Sequence, residues 1–147
     1  MKIGVPKEIK SQENRIGLTP ESVKILTSNG NEVLVENNGG FEAGFYNEQY
    51  KSAGAKILDK AEDIFDDAEI IVKVKEPQPS EVKMIKENQI VFTYLHLAAA
   101  KELTKGLVDS KSVCIAYETV TDNNGRLPLL APMSAVAGRM SVQAGAH

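Results

Sequence analysis

I-V-F-T-Y-L-H-L, residues Ile90–Leu97, decides how this chain is read. Its first half is a run of β-branched and aromatic residues, entered from polar Glu87-Asn88-Gln89. That pattern predicts a strand buried on both faces. The run leads into His96, and a small-residue segment opens at Ala98. An imidazole therefore stands at the carboxyl end of a buried strand, the edge where open α/β sheets bind ligands. His96 is the candidate proton-transfer group. The competing reading is a structural histidine hydrogen-bonded within a loop.

On both sides of this stretch, strand-like and helix-like segments alternate. Strands are expected at residues 1–5, 32–36, 55–58, 70–75 and 113–117. Helices are expected from Thr19, which caps Pro20 at the first helical position, and at 46–53, 59–65, 80–86 (capped by Ser80) and 98–108. A long last helix is expected from Pro132. Gly30 and Gly54 are the expected helix stops. The segment 118–130, with Asn123-Asn124-Gly125, is expected to be a hairpin or an excursion. In the last helix Met133, Val136, Ala137 and Met140 recur at helical spacing, while Gly138, Ser141 and Gly145 make the opposite face small. A helix with small residues on more than one face expects partners on more than one face. Together these readings predict an α/β fold: an open, mostly parallel sheet flanked by helices, Rossmann-like or flavodoxin-like. The expected organisation is a domain over 1–131 and a connecting helix over 132–147, in a truncated chain or an excised domain.

Composition excludes several classes. The chain has 147 residues and a net charge of −3, with no basic cluster for nucleic acid. No apolar run approaches the roughly 20 residues that span a bilayer. The first residues lack the apolar core of a signal peptide. A cytoplasmic protein is expected. The single cysteine, Cys114, reads as a small buried hydrophobe. With one cysteine and two histidines, a metal site built from protein side chains alone is not expected. Neither GxGxxG nor GxxxxGK[ST] occurs, so a nucleotide cofactor would not find its main cradle in these residues.

Three cationic or titratable residues stand at suggestive places. Arg15 lies in the loop after the first strand, Lys75 ends the strand 70–75, and His96 follows the strand 90–94. In a parallel sheet these carboxyl ends share one edge. Arginine grips a carboxylate with two parallel hydrogen bonds, lysine donates to a carbonyl oxygen, and histidine exchanges a proton near neutrality. The set suits a small anionic carbonyl compound. A buried ammonium in such a strand must be paired or sit at its end. Lys73 alternates onto the same face as Lys75, and Lys75 is favoured because it is nearer the carboxyl edge.

Five stretches carry a resemblance: M-K-I-G-V-P-K-E (1–8), E-N-R-I-G-L-T-P (13–20), V-K-V-K-E-P (72–77), F-T-Y-L-H-L-A (92–98) and P-M-S-A-V-A-G-R-M (132–140). They resemble the N-terminal part of the alanine dehydrogenases, in the group that also holds the transhydrogenase alpha subunit. His96 in T-Y-L-H-L favours the former. The resemblance implies a substrate-domain fragment of an NAD-dependent enzyme that converts L-alanine and water to pyruvate and ammonia, reversibly. It implies substrate contacts from Arg15 and Lys75, acid–base work by His96, a pocket lined by Tyr94 and Met133, and contact with NAD from Ser134. NAD would be bound mainly by residues beyond this chain, the fragment alone would be inactive, and the whole protein would be a homo-oligomer, a hexamer. The alternative is a relative of the transhydrogenase alpha subunit or of a lysine-forming amino-acid dehydrogenase.

Overall fold

Lys2–Val5 (β1) stands in the interior of the sheet, in a computed structural model that describes residues 1–147. It is flanked by Glu32–Glu36 (β2) and Ile70–Val72 (β4). Beyond β2 lies Lys56–Leu58 (β3), and beyond β4 lie Ile90–Thr93 (β5) and Val113–Ala116 (β6). The order is β3-β2-β1-β4-β5-β6 and every pairing is parallel. This is the doubly wound order, in which the chain leaves β1 in one direction and resumes at β4 in the other. The expected mostly parallel sheet is thus wholly parallel.

Helices make the crossovers. Pro20–Ser28 (α1) starts where Thr19 accepts a hydrogen bond from the Ser22 N–H at 3.3 Å, and it stops before Gly30 at φ +80°. Asn47–Ser52 (α2) ends before Gly54, also left-handed at φ +92°. Ala61–Asp67 (α3), Pro79–Val82 (α4) and Lys101–Ser110 (α5) follow, and Ala131–Gly145 (α6) is the long last helix. Val5, Val23, Val33, Val35 and Tyr50 form the core under α1 and α2. Ile64, Phe65, Ile71, Val91 and Leu107 form the core on the other face, under α3 and α5.

Several expectations need correction. Alternate residues of β5 are buried, Val91 and Thr93, while Ile90 and Phe92 are half-buried. The strand is covered on one face only, because no helix lies over the β5–β6 end on the α1 side. There Val113 and Ile115 are exposed. β4 ends at Val72 rather than Lys75, yet its backbone keeps pairing: Lys73 N–H donates to Phe92 O and Tyr94 N–H to Val74 O. α4 is shorter than 80–86 and is capped by Gln78, not Ser80; the Gln78 N–H donates to Glu81 Oε2 at 2.7 Å. α3 starts two residues later than expected. Segment 118–130 forms no hairpin. Asp122 Oδ1 accepts the Asn124 and Arg126 N–H groups around Gly125. In α6, Met133, Val136 and Met140 are exposed, so the apolar stripe is real in sequence but is not packed on the sheet.

Candidate active site

The sheet order puts a crevice at the carboxyl ends of β1 and β4, where the winding reverses. A cavity of about 520 Å³ opens there. The loop 6–19 contributes Arg15, Ile16, Gly17 and Thr19 to its wall; Lys73 and Val74 come from the end of β4, and Phe92, Tyr94 and Tyr117 from the outer strands. The loop can lie this close only because residue 17 is glycine: a Cβ there would stand 2.6 Å from the Val72 carbonyl oxygen. Phe92, Tyr94 and Tyr117 pack edge to face, with ring centroids 4.3 and 5.0 Å apart. Burial holds the Tyr117 hydroxyl well above its usual range. The Tyr94 hydroxyl donates to Leu129 O at 2.5 Å and ties the segment after β6 across the cavity.

Arg15 is placed as expected, at the cavity, but its fork is engaged. Glu13 accepts from Nε at 2.8 Å and from Nη2 at 2.6 Å. The hydrogen bond from Arg15 holds the Glu13 carboxyl below the usual carboxylate range. Met133 Sδ lies 4.0 Å from Arg15 Nη1, which brings the start of α6 to the same rim. Ser134 is exposed on α6, and its hydroxyl donates to Leu130 O of its own helix.

The buried lysine is Lys73, not the favoured Lys75. Its side chain is fully buried between two carboxylates, Glu8 Oε2 at 3.0 Å and Glu81 Oε1 at 2.8 Å. Glu8 comes from the loop after β1 and Glu81 from α4, outside the strand itself, which is why strand alternation alone did not choose between the lysines. Burial pushes the Glu81 carboxyl up, and the neighbouring Lys73 offsets only part of that. Lys75 is half-buried one step further along, and its ammonium makes no hydrogen bond or ion pair. Its charge reaches Glu13.

His96 lies at the same sheet edge but outside the Arg15 cavity. Its ring centroid is 6.1 Å from that of Tyr94. It borders a neighbouring hollow of about 490 Å³ with Leu95, Ala116 and Glu118. Its backbone is left-handed, φ +50° and ψ +39°. The imidazole is about half exposed, with Nδ1 at 3.4 Å from Glu76 Oε2. Burial pushes Glu76 up, but the hydrogen bond and charge of Lys10, with further help from His96, bring it below the usual range. The structure therefore joins Arg15 and Tyr94 around one cavity, brings Met133 against Arg15, and sets His96 beside a separate hollow. Glu13, Glu76 and Glu118, which touch Arg15 or His96, and Glu8, which touches Lys73 and the Lys75 N–H, were not singled out by sequence. Val5-Pro6-Lys7-Glu8 and Lys75-Glu76-Pro77 sit in the quoted stretches, but nothing in their spacing says what the acids meet.

These residues do not form a dinucleotide cradle. In the doubly wound fold the first strand-to-helix turn is short and glycine-rich, so that a pyrophosphate can approach the helix N-terminus. Here loop 6–19 stands in place of that turn, and its Glu8 is ion-paired to the buried Lys73.

Residues 4–137 match the family model for the alanine dehydrogenase/PNT N-terminal domain. The chain belongs to this family. An alanine dehydrogenase of Halomonas elongata is 55% identical over 147 residues, all of this chain and 40% of that protein. One of Bacillus subtilis is 53% identical, again over the whole chain and over 38% of that protein. The chain thus spans about 40% of the length of these curated relatives. Among solved structures, an L-alanine dehydrogenase superposes with a TM-score of 0.93 at 52% identity, covering 99% of this chain and 40% of the other. A transhydrogenase from Sinorhizobium meliloti superposes at 0.78 with 25% identity, covering 84% and 35%. Within the family the chain is therefore more similar to these alanine dehydrogenases than to that transhydrogenase.

Proposed function

We propose that this chain is the N-terminal substrate-domain part of an NAD-dependent L-alanine dehydrogenase, with residues 1–131 as domain and 132–147 as connector. One observation carries the reading. A chain 55% identical throughout to an alanine dehydrogenase holds Arg15 and Tyr94 at the cavity where the sheet reverses. Arg15 would take the substrate carboxylate in place of Glu13, since a bidentate fork suits either acid. Lys75, free of any partner, would donate to the keto oxygen. His96 would exchange a proton with the water and carbinolamine oxygens. Tyr94 and Met133 would bound the pocket, and Ser134 on exposed α6 would face the cofactor's side. NAD belongs to this reading as the hydride acceptor, held mainly by residues other than these. The reading also carries a homo-oligomer, a hexamer by resemblance, working in the cytoplasm on L-alanine, pyruvate and ammonia.

The test is NADH oxidation with pyruvate and ammonia. An intact enzyme carrying this sequence as its N-terminal part should turn over, whereas the 147-residue chain alone should not, because the cofactor must be held against the substrate. No turnover by the intact enzyme would remove the reading. Turnover by the chain alone would remove the division of labour.

A further inference from the structure

Two carboxylates at the functional edge do the same thing. Beyond the paired ends of β4 and β5 the chain continues along the same edge, and on one side its backbone N–H groups have no ladder partner. On β4 the ladder with β1 ends at Gly4–Ile71. There Glu8, from the loop after β1, takes over: its Oε1 accepts the N–H groups of Val74 at 2.6 Å and Lys75 at 3.3 Å. On β5 the ladder with β6 ends at Thr93–Ala116. There Glu118, from the turn after β6, takes over: its Oε1 accepts the N–H groups of Leu95 at 3.1 Å and His96 at 2.8 Å. In each case the second N–H belongs to one of the two groups assigned to proton donation.

We propose that Glu8 and Glu118 are paired positioning residues, each holding the backbone from which one acid–base side chain, Lys75 or His96, departs. This rests on the reading of Lys75 and His96 given above. A carboxylate suits the task. Its oxygens only accept, so it can take two successive donors, and charge-assisted bonds of this kind are about twice as strong as neutral ones. His96 needs such a hold because a non-glycine residue in the left-handed region persists only when its surroundings enforce it. Glu118 is also kept ionised: burial pushes its carboxyl up, but the N–H groups of His96 and Leu95 outweigh it and leave the group below the usual range. The buried Glu8 has a second duty to Lys73, so a Glu8 variant can fail by misfolding. Glu118, on a half-buried turn, is the cleaner probe.

The first experiment uses this chain alone and needs no activity. In a proton–nitrogen NMR titration the Leu95 and His96 amides should resonate downfield and move together on acidification, with one midpoint below the ordinary glutamate range. Glu118→Gln should abolish that common movement. Amides that ignore the titration, or that behave identically in Glu118→Gln, overturn the proposal whatever the enzyme does. The second experiment uses the intact enzyme. Glu118→Gln should lower kcat about 10- to 100-fold, the scale of a roughly 1 Å misplacement, with KM for pyruvate nearly unchanged, and Glu118→Ala should be worse than Gln. Glu69→Gln is the control: that carboxylate also accepts a backbone N–H, from Lys2, but at the opposite edge, and kcat should not change. An unchanged kcat in both Glu118 variants overturns the proposal. Loss of all wild-type turnover with the amide result intact would instead count against the function read for the site.

Discussion

Lys73 and Lys75 are two residues apart on one strand end, yet only Lys73 is sealed from solvent. Its ammonium is shared between two buried carboxylates, and burial disfavours the charged form of one of them, Glu81. Removing the cation leaves both acids uncompensated, and Lys73→Met should cost about 3–5 kcal/mol in urea unfolding. Glu81→Gln leaves a neutral pair and should cost less than about 1 kcal/mol or stabilise, since burial already disfavours that charge. In the intact enzyme His96→Ala should reduce kcat by roughly 10² or more, the usual loss for a general acid–base group. Arg15→Lys should act mainly on KM for pyruvate, because a point charge cannot reproduce a planar fork. An unaltered KM would leave Arg15 as a partner of Glu13 and no more. Sequence put Arg15 and His96 at the carboxyl edge of the sheet because strand ends are visible in local pattern, but spacing did not show that they line different hollows. It did not choose Lys73 because the partners that seal it, Glu8 and Glu81, are brought in by a loop and a short helix from other parts of the chain.

At the level of elements, whatever depends on neighbours in sequence was legible. Thr19-Pro20, Gly30 and Gly54 mark their helix ends where expected, since caps and left-handed stops are short-range chemistry. Thr19→Ala should therefore cost about 1 kcal/mol. The misses were elements whose limits are set elsewhere. β4 stops early because β1 runs out beside it, and the Met133–Met140 stripe stays exposed because periodicity reports a face and not what covers it. Loop 6–19 is held down by the close approach at Gly17. Gly17→Ala must push the loop off Val72, so KM for pyruvate should rise as Arg15 shifts. The fold itself should survive, since the core under α1 does not involve residue 17. A marked fall in melting temperature without a KM change would show that the loop serves stability alone.

For the molecule as a whole, opposing carboxylates shape the pH response. Glu13, Glu76 and Glu118 have folded pKa values below their ordinary value of about 4.3. Their stabilisation is present above that value and is lost as pH falls through the folded one. Glu36 and Glu81 are raised by burial. Their contribution is largest below the unfolded value and is lost as pH rises through the folded one. The melting temperature of this chain should therefore peak on the acid side of neutrality and fall steeply below about pH 4. Glu81→Gln should move the peak toward neutral pH, and an unmoved peak would show that this buried acid does not govern it. The sheet order was legible only as an alternation of elements. The reversal between β1 and β4, which makes the crevice, was not, because strand order is decided by which pairings close and leaves no local trace.

The β4–β5 pairing has one more consequence. Val72 lies opposite Phe92 and Val74 bonds to Tyr94, so the segments that carry Lys75 and His96 leave neighbouring strands of the sheet just beyond their last pairing. Rails of a sheet are about 4.8 Å apart, a spacing fixed by the peptide group itself. On the function proposed above, a substrate that meets both side chains is thereby measured against a backbone ruler. Surface loops can lengthen or shrink by mutation without altering that gauge, so selection for a short-chain compound would be written into the main chain.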